Sequence, residues 1–245
     1  MTPLSRAASR GYKAVVDRLL AAPGIDVNAA DEVGRTPLSR ATYEGYEAIV
    51  DRLLAAPGIG VNAANKDGTT PLWWAASKGY KAVVDRLLAA PGIDVNAADE
   101  AGKTPLSRAA SRGYKAVVDR LLAAPGIDVN AADEVGRTPL SRAAYEGYEA
   151  IVDRLLAAPG IGVNAASKDG TTPLWWAAYG GYEAVVDRLL AAPGIDVNAA
   201  DEAGKTPLQH AAFGGHEAVV DRLLAAPGID VNMDDKDVIT RLKSR

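Results

Sequence analysis

Gly102-Lys103-Thr104 and Gly204-Lys205-Thr206 end in the manner of a phosphate-binding loop, in which backbone N–H groups and a lysine hold phosphate oxygens. The glycine that such a loop needs five residues before the Gly-Lys pair is Ala97 in one case and Ala199 in the other. Asn65-Lys66-Asp67-Gly68 carries oxygens suited to calcium, but Ala63 holds the first ligand position of that loop and Trp74 its closing carboxylate position. His210 and His216 are the two histidines, and there is no cysteine, so neither thiolate chemistry nor a zinc site of ordinary spacing can be assembled. No nucleophile stands with a base and an orienting acid in any recognisable pattern. No cofactor, metal or catalysis is therefore expected.

The residues left with recognition chemistry are aromatic and basic. All four tryptophans fall in two copies of Thr-Thr-Pro-Leu-Trp-Trp-Ala-Ala, as Trp73-Trp74 and Trp175-Trp176. Adjacent residues of a helix point about 100° apart, so one indole of each pair can pack while the other points elsewhere.

Composition sets the frame for these side chains. The 245 residues are 48% hydrophobic and 24% charged, enough for a folded core. A net charge of -4 offers no general attraction to nucleic acid or to an acidic membrane surface, so neither is expected as a partner. Met1 leads into Thr2-Pro3-Leu4 without a basic stretch and apolar signal core, and no window approaches the roughly 18 apolar residues of a membrane span. A cytoplasmic or nuclear protein is expected.

Thr-Pro-Leu recurs at Thr2, Thr36, Thr70, Thr104, Thr138, Thr172 and Thr206, a period of 34 residues. In the first copy, Thr2 is placed to cap a helix that begins at Pro3, since proline suits the first helical position. Leu4, Ala7 and Ala8 share a helical face, and Gly11 permits a reversal into a second helix. Val15, Val16, Leu19 and Leu20 form that helix's apolar side, leaving Asp17 and Arg18 to solvent. Pro23-Gly24 ends it, Ile25–Asn28 reads as short and extended, and Asp31–Gly34 reads as a turn.

Thr-Pro-Leu with its Ala-Ala, the Gly-Tyr or Gly-His between helices, the Val-Val and Leu-Leu pairs and the closing Asp-Val-Asn together resemble the ankyrin repeat. The resemblance covers residues 2–235 as one array and implies an all-α solenoid of antiparallel helix pairs with projecting turns. The unit is one residue longer than the family's 33, at Ala-Ala-Pro-Gly. Residues 236–245 read as a truncated eighth repeat or a C-terminal cap, with Val238, Ile239 and Leu242 able to shield the last full repeat. Ser5, Ser39, Trp73, Ser107, Ser141, Trp175 and Gln209 replace the family's first histidine, a position that packs between repeats.

The resemblance also implies a protein-binding module. Its next position looks onto a concave groove and would align Arg6, Arg40, Trp74, Arg108, Arg142, Trp176 and His210 over on the order of 60 Å, at ~8–10 Å per helix. Tyr43, Tyr145 and Tyr179 run beside them, with Ser9, Ser77, Ser111 and Phe213 in the same register. Arginine and large aromatics dominate binding hot spots, so a protein or peptide segment of acidic or mixed charge is the expected partner. The competing expectation is that the arginines pair with Glu44 and Glu146 or stack on the indoles. Glu32, Val33, Arg35, Lys66, Asp67 and Thr69, at the turn tips, are expected to be solvated.

Residues 2–103 and 104–205 differ only at Thr42/Ala144, Asn65/Ser167, Ser77/Tyr179, Lys78/Gly180 and Lys81/Glu183. Copying that extends to exposed loops, which ordinarily tolerate change, points to very recent tandem duplication or to deliberate construction, and the latter admits an alternative: an engineered or idealised repeat scaffold with no natural partner. A monomer is expected, with end-to-end stacking of uncapped ends as the alternative.

Overall fold

The structure is a computed structural model and describes residues 1–233; the expected eighth repeat or cap at 236–245 lies outside them. Two compact units are present. The first comprises Met1–Ala109 and Tyr114–Asp128, and the second comprises Ala110–Gly113 and the chain from Val129 onward.

The first unit carries α1 (Pro3–Ser9), α2 (Lys13–Leu20), α3 (Pro37–Glu44), α4 (Glu47–Leu54), α5 (Pro71–Lys78), α6 (Lys81–Leu88), α7 (Pro105–Ala110, whose last residue is grouped with the second unit) and α8 (Lys115–Leu122). The second carries α9 (Pro139–Tyr145), α10 (Glu149–Leu156), α11 (Pro173–Tyr179), α12 (Glu183–Leu190), α13 (Pro207–Phe213) and α14 (Glu217–Leu224). Every described element is helical.

Each Thr-Pro opens its helix as the sequence requires. The Thr36 hydroxyl accepts the Ser39 N–H at 3.2 Å, and Thr138 does the same for Ser141 at 3.2 Å. Such a cap contributes about 1 kcal/mol. Within each unit, first helices pack on first helices, α1 on α3 and α3 on α5, then α9 on α11 and α11 on α13. Second helices pack likewise, α2 on α4, α4 on α6 and α6 on α8, then α10 on α12 and α12 on α14. Leu38, Leu72, Leu140 and Leu174 are fully buried between these layers, where each stabilises by roughly 1.5–3 kcal/mol.

Val83 and Val117 are also buried, whereas the equivalent Val15 of the first repeat is 46% exposed. The valine at this position is covered by the repeat before it, and α2 has none.

The glycine between paired helices serves two purposes. Gly79 adopts φ +74°, and a Cβ there would lie 2.7 Å from the Tyr114 ring of the next repeat. In the second unit, His216 takes the tyrosine's place over Gly181, and its Nε2 lies 3.0 Å from the Tyr179 carbonyl.

The segment after the second helix departs from the expected extended form. Val27–Asn28 is a turn, and the asparagine bonds across to the next repeat. Asn28 Nδ2 donates to the Gly58 carbonyl at 2.7 Å while its Oδ1 accepts the Gly60 N–H at 2.7 Å. Asn62 joins Gly92 and Asp94 in the same way at 2.7 and 2.9 Å, and Asn164 joins Gly194 and Asp196 at 2.7 and 2.9 Å. The lengthened Ala-Ala-Pro-Gly loop is thus held by a two-ended amide clamp from the repeat before it.

On the second helices, the charges expected to be merely solvated form a ladder. Arg86 reaches Asp51 at 2.6 Å and Glu47 at 3.1 Å, and Arg222 reaches Asp187 at 2.8 Å and Glu183 at 3.1 Å. These pairs are exposed, so each contributes only ~0.2–1 kcal/mol.

Candidate protein-interaction surface

The tryptophan pairs divide between packing and surface. Trp73 is 5% exposed, and its Nε1 donates to the carbonyl of Lys103, the residue that leads into the next repeat, at 3.0 Å. Trp74, one helical step on, is half-buried; its ring meets Trp73 and Tyr43 edge-on, each at 4.8 Å between centroids. The Gly102-Lys103-Thr104 stretch is accordingly a turn and helix cap: the Lys103 N–H donates to Asp99 at 2.8 Å, and Thr104 caps α7 through Ser107.

The second copy differs. Trp175 is buried and donates through Nε1 to Asp201 Oδ2 at 3.1 Å, as Trp73 does to the Lys103 carbonyl. Trp176, expected to line an open groove, is only 9% exposed. Tyr145 meets it edge-on at 4.9 Å and Tyr179 at 6.2 Å, and the Arg137 guanidinium lies 4.9 Å above its ring. Tyr179 stands where the first copy has Ser77, and it stacks on Trp175 at 5.3 Å with only 11° between planes. A larger neighbour and a seated guanidinium have closed over the indole.

Arg40 and Arg142 do not pair with Glu44 or Glu146. Each donates to an aspartate nine residues earlier, Arg40 to Asp31 and Arg142 to Asp133. Those aspartates also build the turn: Asp31 Oδ1 accepts the Val33 and Arg35 N–H groups at 3.1 and 2.9 Å, leaving Oδ2 for Arg40 and for Arg35 Nε at 3.2 Å. Burial alone would raise the Asp31 carboxyl, but the Arg35 N–H, the Arg40 guanidinium and the Val33 N–H hold it well below the usual carboxylate range. Asp133 is lowered against its burial in the same way, chiefly by the Arg142 guanidinium and the Arg137 N–H. His210 keeps the pattern, with Nε2 3.2 Å from Asp201 Oδ2 and its ring 4.2 Å from that of Trp175.

The remaining expected residues fall as follows. Arg6, Tyr43, Tyr145 and Tyr179 are exposed, and Arg108 is half-buried with its guanidinium 4.7 Å over the Trp73 ring. In the first unit the structure brings Arg40, Tyr43 and Trp74 together with Val33, Arg35, Ser39, Asn65 and Asp67 around a cleft of about 340 Å³. In the second unit it brings Arg142, Tyr145, Trp176, Tyr179 and His210 onto α9, α11 and α13. The turn-tip residues are not uniformly solvated, for Thr69 is 4% exposed and bonds Asn65 through both its N–H and its hydroxyl. Asp31, Asp133 and Arg137 are the participants that sequence reasoning left out of the surface.

Among the described residues, no group of three or more His, Asp or Glu could hold a metal, and no helix is long and apolar enough to cross a membrane.

The chain is similar in structure to the ankyrin repeat domain of Bcl-3, a member of the IkappaB protein family: 28% identity, TM-score 0.80, covering 91% of this chain and 98% of that one. It is similar also to the human ASB11 ankyrin repeat domain, at 27% identity and TM-score 0.77, covering 94% of this chain and 100% of that one. No curated protein gave a significant sequence match. The model of the ankyrin repeats (3 copies) family matches residues 1–65, 42–133, 91–167 and 140–235. Periodic caps, paired helices and projecting turns agree with that match, and the chain belongs to the ankyrin-repeat family, whose members generally mediate protein–protein interaction without catalysis.

Proposed function

We propose that the first-helix face of each unit binds an extended or helical segment of a partner protein. The observation that carries this reading is the grouping of Tyr43, Trp74 and Arg40 around an open cleft, aromatic area beside a guanidinium that a carboxylate holds in place. A side chain fixed before binding loses little entropy on contact, which favours affinity. In the second unit Tyr145, Tyr179 and His210 supply the equivalent area around Trp176.

The expected preference for an acidic segment is narrowed by the ion pairs. Arg40 and Arg142 are already neutralised by Asp31 and Asp133, so a partner of mixed charge is favoured over a purely acidic one, with Arg6 as the exposed cation of the row. The test is capture of interacting proteins from a lysate by the unaltered chain and by a Tyr43→Ser, Tyr145→Ser, Tyr179→Ser variant. These tyrosines are exposed, so the variant should keep its helicity. Proteins held only by the unaltered chain support the reading; identical sets remove the surface from consideration.

A second reading, an idealised scaffold without a natural partner, is favoured by the near-identity of residues 2–103 and 104–205 in their exposed turns as well as their core. Capture of nothing above background by either protein supports it.

A further inference from the structure

The two copies of the Trp-Trp segment hold the same arginine in two different seats. In the second unit Arg137 leaves the carboxylate oxygen of Asp133 to Arg142 and lays its guanidinium 4.9 Å above the Trp176 ring. Its Nε is buried there with no hydrogen-bond partner among the described residues. In the first unit the corresponding Arg35 turns to Asp31 at 3.2 Å, and the space beside Trp74 is the cleft of about 340 Å³. Arginine at this position therefore chooses between a carboxylate and an indole face, and the indole wins in one copy at the expense of a hydrogen bond. A face that a guanidinium prefers on those terms is a seat for a flat cation.

The seat in the first unit has the other walls such a cation needs. Tyr43 stands edge-on to Trp74 at 4.8 Å, and the Lys78 ammonium already lies 4.3 Å over the Tyr43 ring, so this aromatic pair attracts positive charge on one side. Asp67, exposed at the cleft wall, accepts a bond from Asn65 Nδ2 at 3.2 Å. In the second unit the residue replacing Asn65 is Ser167, and Asp169 is drawn into bonds with the Ser167 and Thr171 hydroxyls. Arg35 and Arg40 also line the cleft, but both guanidinia are directed at Asp31, which leaves the Asp67 carboxylate for an incoming charge.

We propose that the cleft between Trp74, Tyr43 and Asp67 receives an arginine side chain of the partner protein, stacked on the Trp74 indole in the place that Arg137 occupies over Trp176. This rests on the reading of the first-helix face as a protein-binding surface, and it names the anchor that the partner supplies. The second copy is self-occupied and closed to the same ligand until Arg137 moves.

The test uses the full chain, labelled with nitrogen-15, and three short peptides, acetyl-Gly-Gly-X-Gly-Gly-amide with X arginine, citrulline or glutamate. Citrulline keeps the shape of arginine without its charge. The arginine peptide should shift the Trp74 indole N–H signal, identified by its loss in Trp74→Phe, and leave that of Trp176 in place. Citrulline should bind about two- to fivefold more weakly, given cation–π energies at an open site and the tenfold-per-1.4 kcal/mol scale. Asp67→Asn, an exposed and nearly isosteric change, should weaken the arginine peptide several-fold. Arg137→Ser should make the Trp176 signal respond as Trp74 does.

Equal binding of citrulline, no response to the arginine peptide, or unchanged affinity in Asp67→Asn would overturn the proposal. A Trp74 shift with the glutamate peptide alone would overturn the arginine anchor and leave the protein-binding surface standing. That surface fails by a different sign, unchanged capture by the tyrosine variant.

Discussion

Asp133 and Arg142 form an ion pair in which the aspartate side chain is 2% exposed and the arginine side chain 19%. The carboxylate is more than a partner for the arginine, since its other oxygen accepts the Val135 and Arg137 N–H groups at 3.1 and 2.9 Å and so shapes the projecting turn. One side chain therefore couples turn geometry to the position of a surface arginine.

Asp133→Asn keeps an acceptor for the turn and removes the charge beside Arg142. It should cost roughly 1.5–3 kcal/mol, the range for hydrogen bonds to charged groups. Asp133→Ala, which also strands two backbone donors, should cost more. Urea unfolding of the two variants against the unaltered chain checks the order, with midpoints compared rather than a single global free energy, because arrays unfold by parts.

The lowered carboxyls of Asp31, Asp85, Asp133 and Asp169 set an acid limit on stability. A carboxyl with a folded-state pKa below its unfolded value contributes stability that is fully present above the unfolded value, about 3.9, and is lost as pH falls through the folded one. Their contribution to stability should be flat from pH 8 to about 5 and fall below about 4. Thermal melts across that range check this, and Asp133→Asn should show a shallower fall. Added salt should weaken the Asp85 part most, since its partners Lys81 and Arg120 are about half exposed.

Trp73 and Trp74 should separate cleanly on truncation. Trp73→Ala empties a buried site and removes the hydrogen bond to the Lys103 carbonyl, at a cost of about 3–5 kcal/mol. Trp74→Ala removes a half-buried ring and should cost less than half as much, while its effect on partner binding is the larger of the two. Chemical unfolding and captured-protein yield measure the two axes.

Asn62→Ala breaks both ends of one clamp, the bond to the Gly92 carbonyl and the bond from the Asp94 N–H. A loss of about 1–2 kcal/mol is expected, with faster hydrogen exchange at Asp94 before any change at buried amides of α4.

The helices were legible because each boundary has a local chemical cause: a threonine hydroxyl aimed at the third helical N–H, a proline that starts a helix, a glycine that reverses the chain. That Trp73 and Trp74 face different ways followed from helical geometry, and the family's packed histidine position said which of the two is buried. The pairing of Arg40 did not, because Glu44 is nearer in sequence on the same helix, whereas Asp31 is brought in by a turn. A signal was nonetheless present. Nine residues before Arg40, Arg108, Arg142 and His210 stands an aspartate, and nine before Trp74 and Trp176 stands Asn65 or Ser167. A carboxylate occurs where a basic side chain follows and a neutral group where an indole follows. The burial of Trp176 was beyond such reading, since it depends on which of two seats Arg137 takes.

The asparagine clamps make loop length a shared property of neighbours. From Asn28 to Asn198 each asparagine gives its amide to the loop of the following repeat, and each loop after the first receives one from the repeat before. A 33-residue unit spliced into this array should disturb the clamp at the seam, because its loop is one residue shorter. Grafts between this array and others of its family should therefore succeed when the seam is cut in register with a clamp and fail when it is cut through one. The clamp thus ties each such loop to the repeat before it.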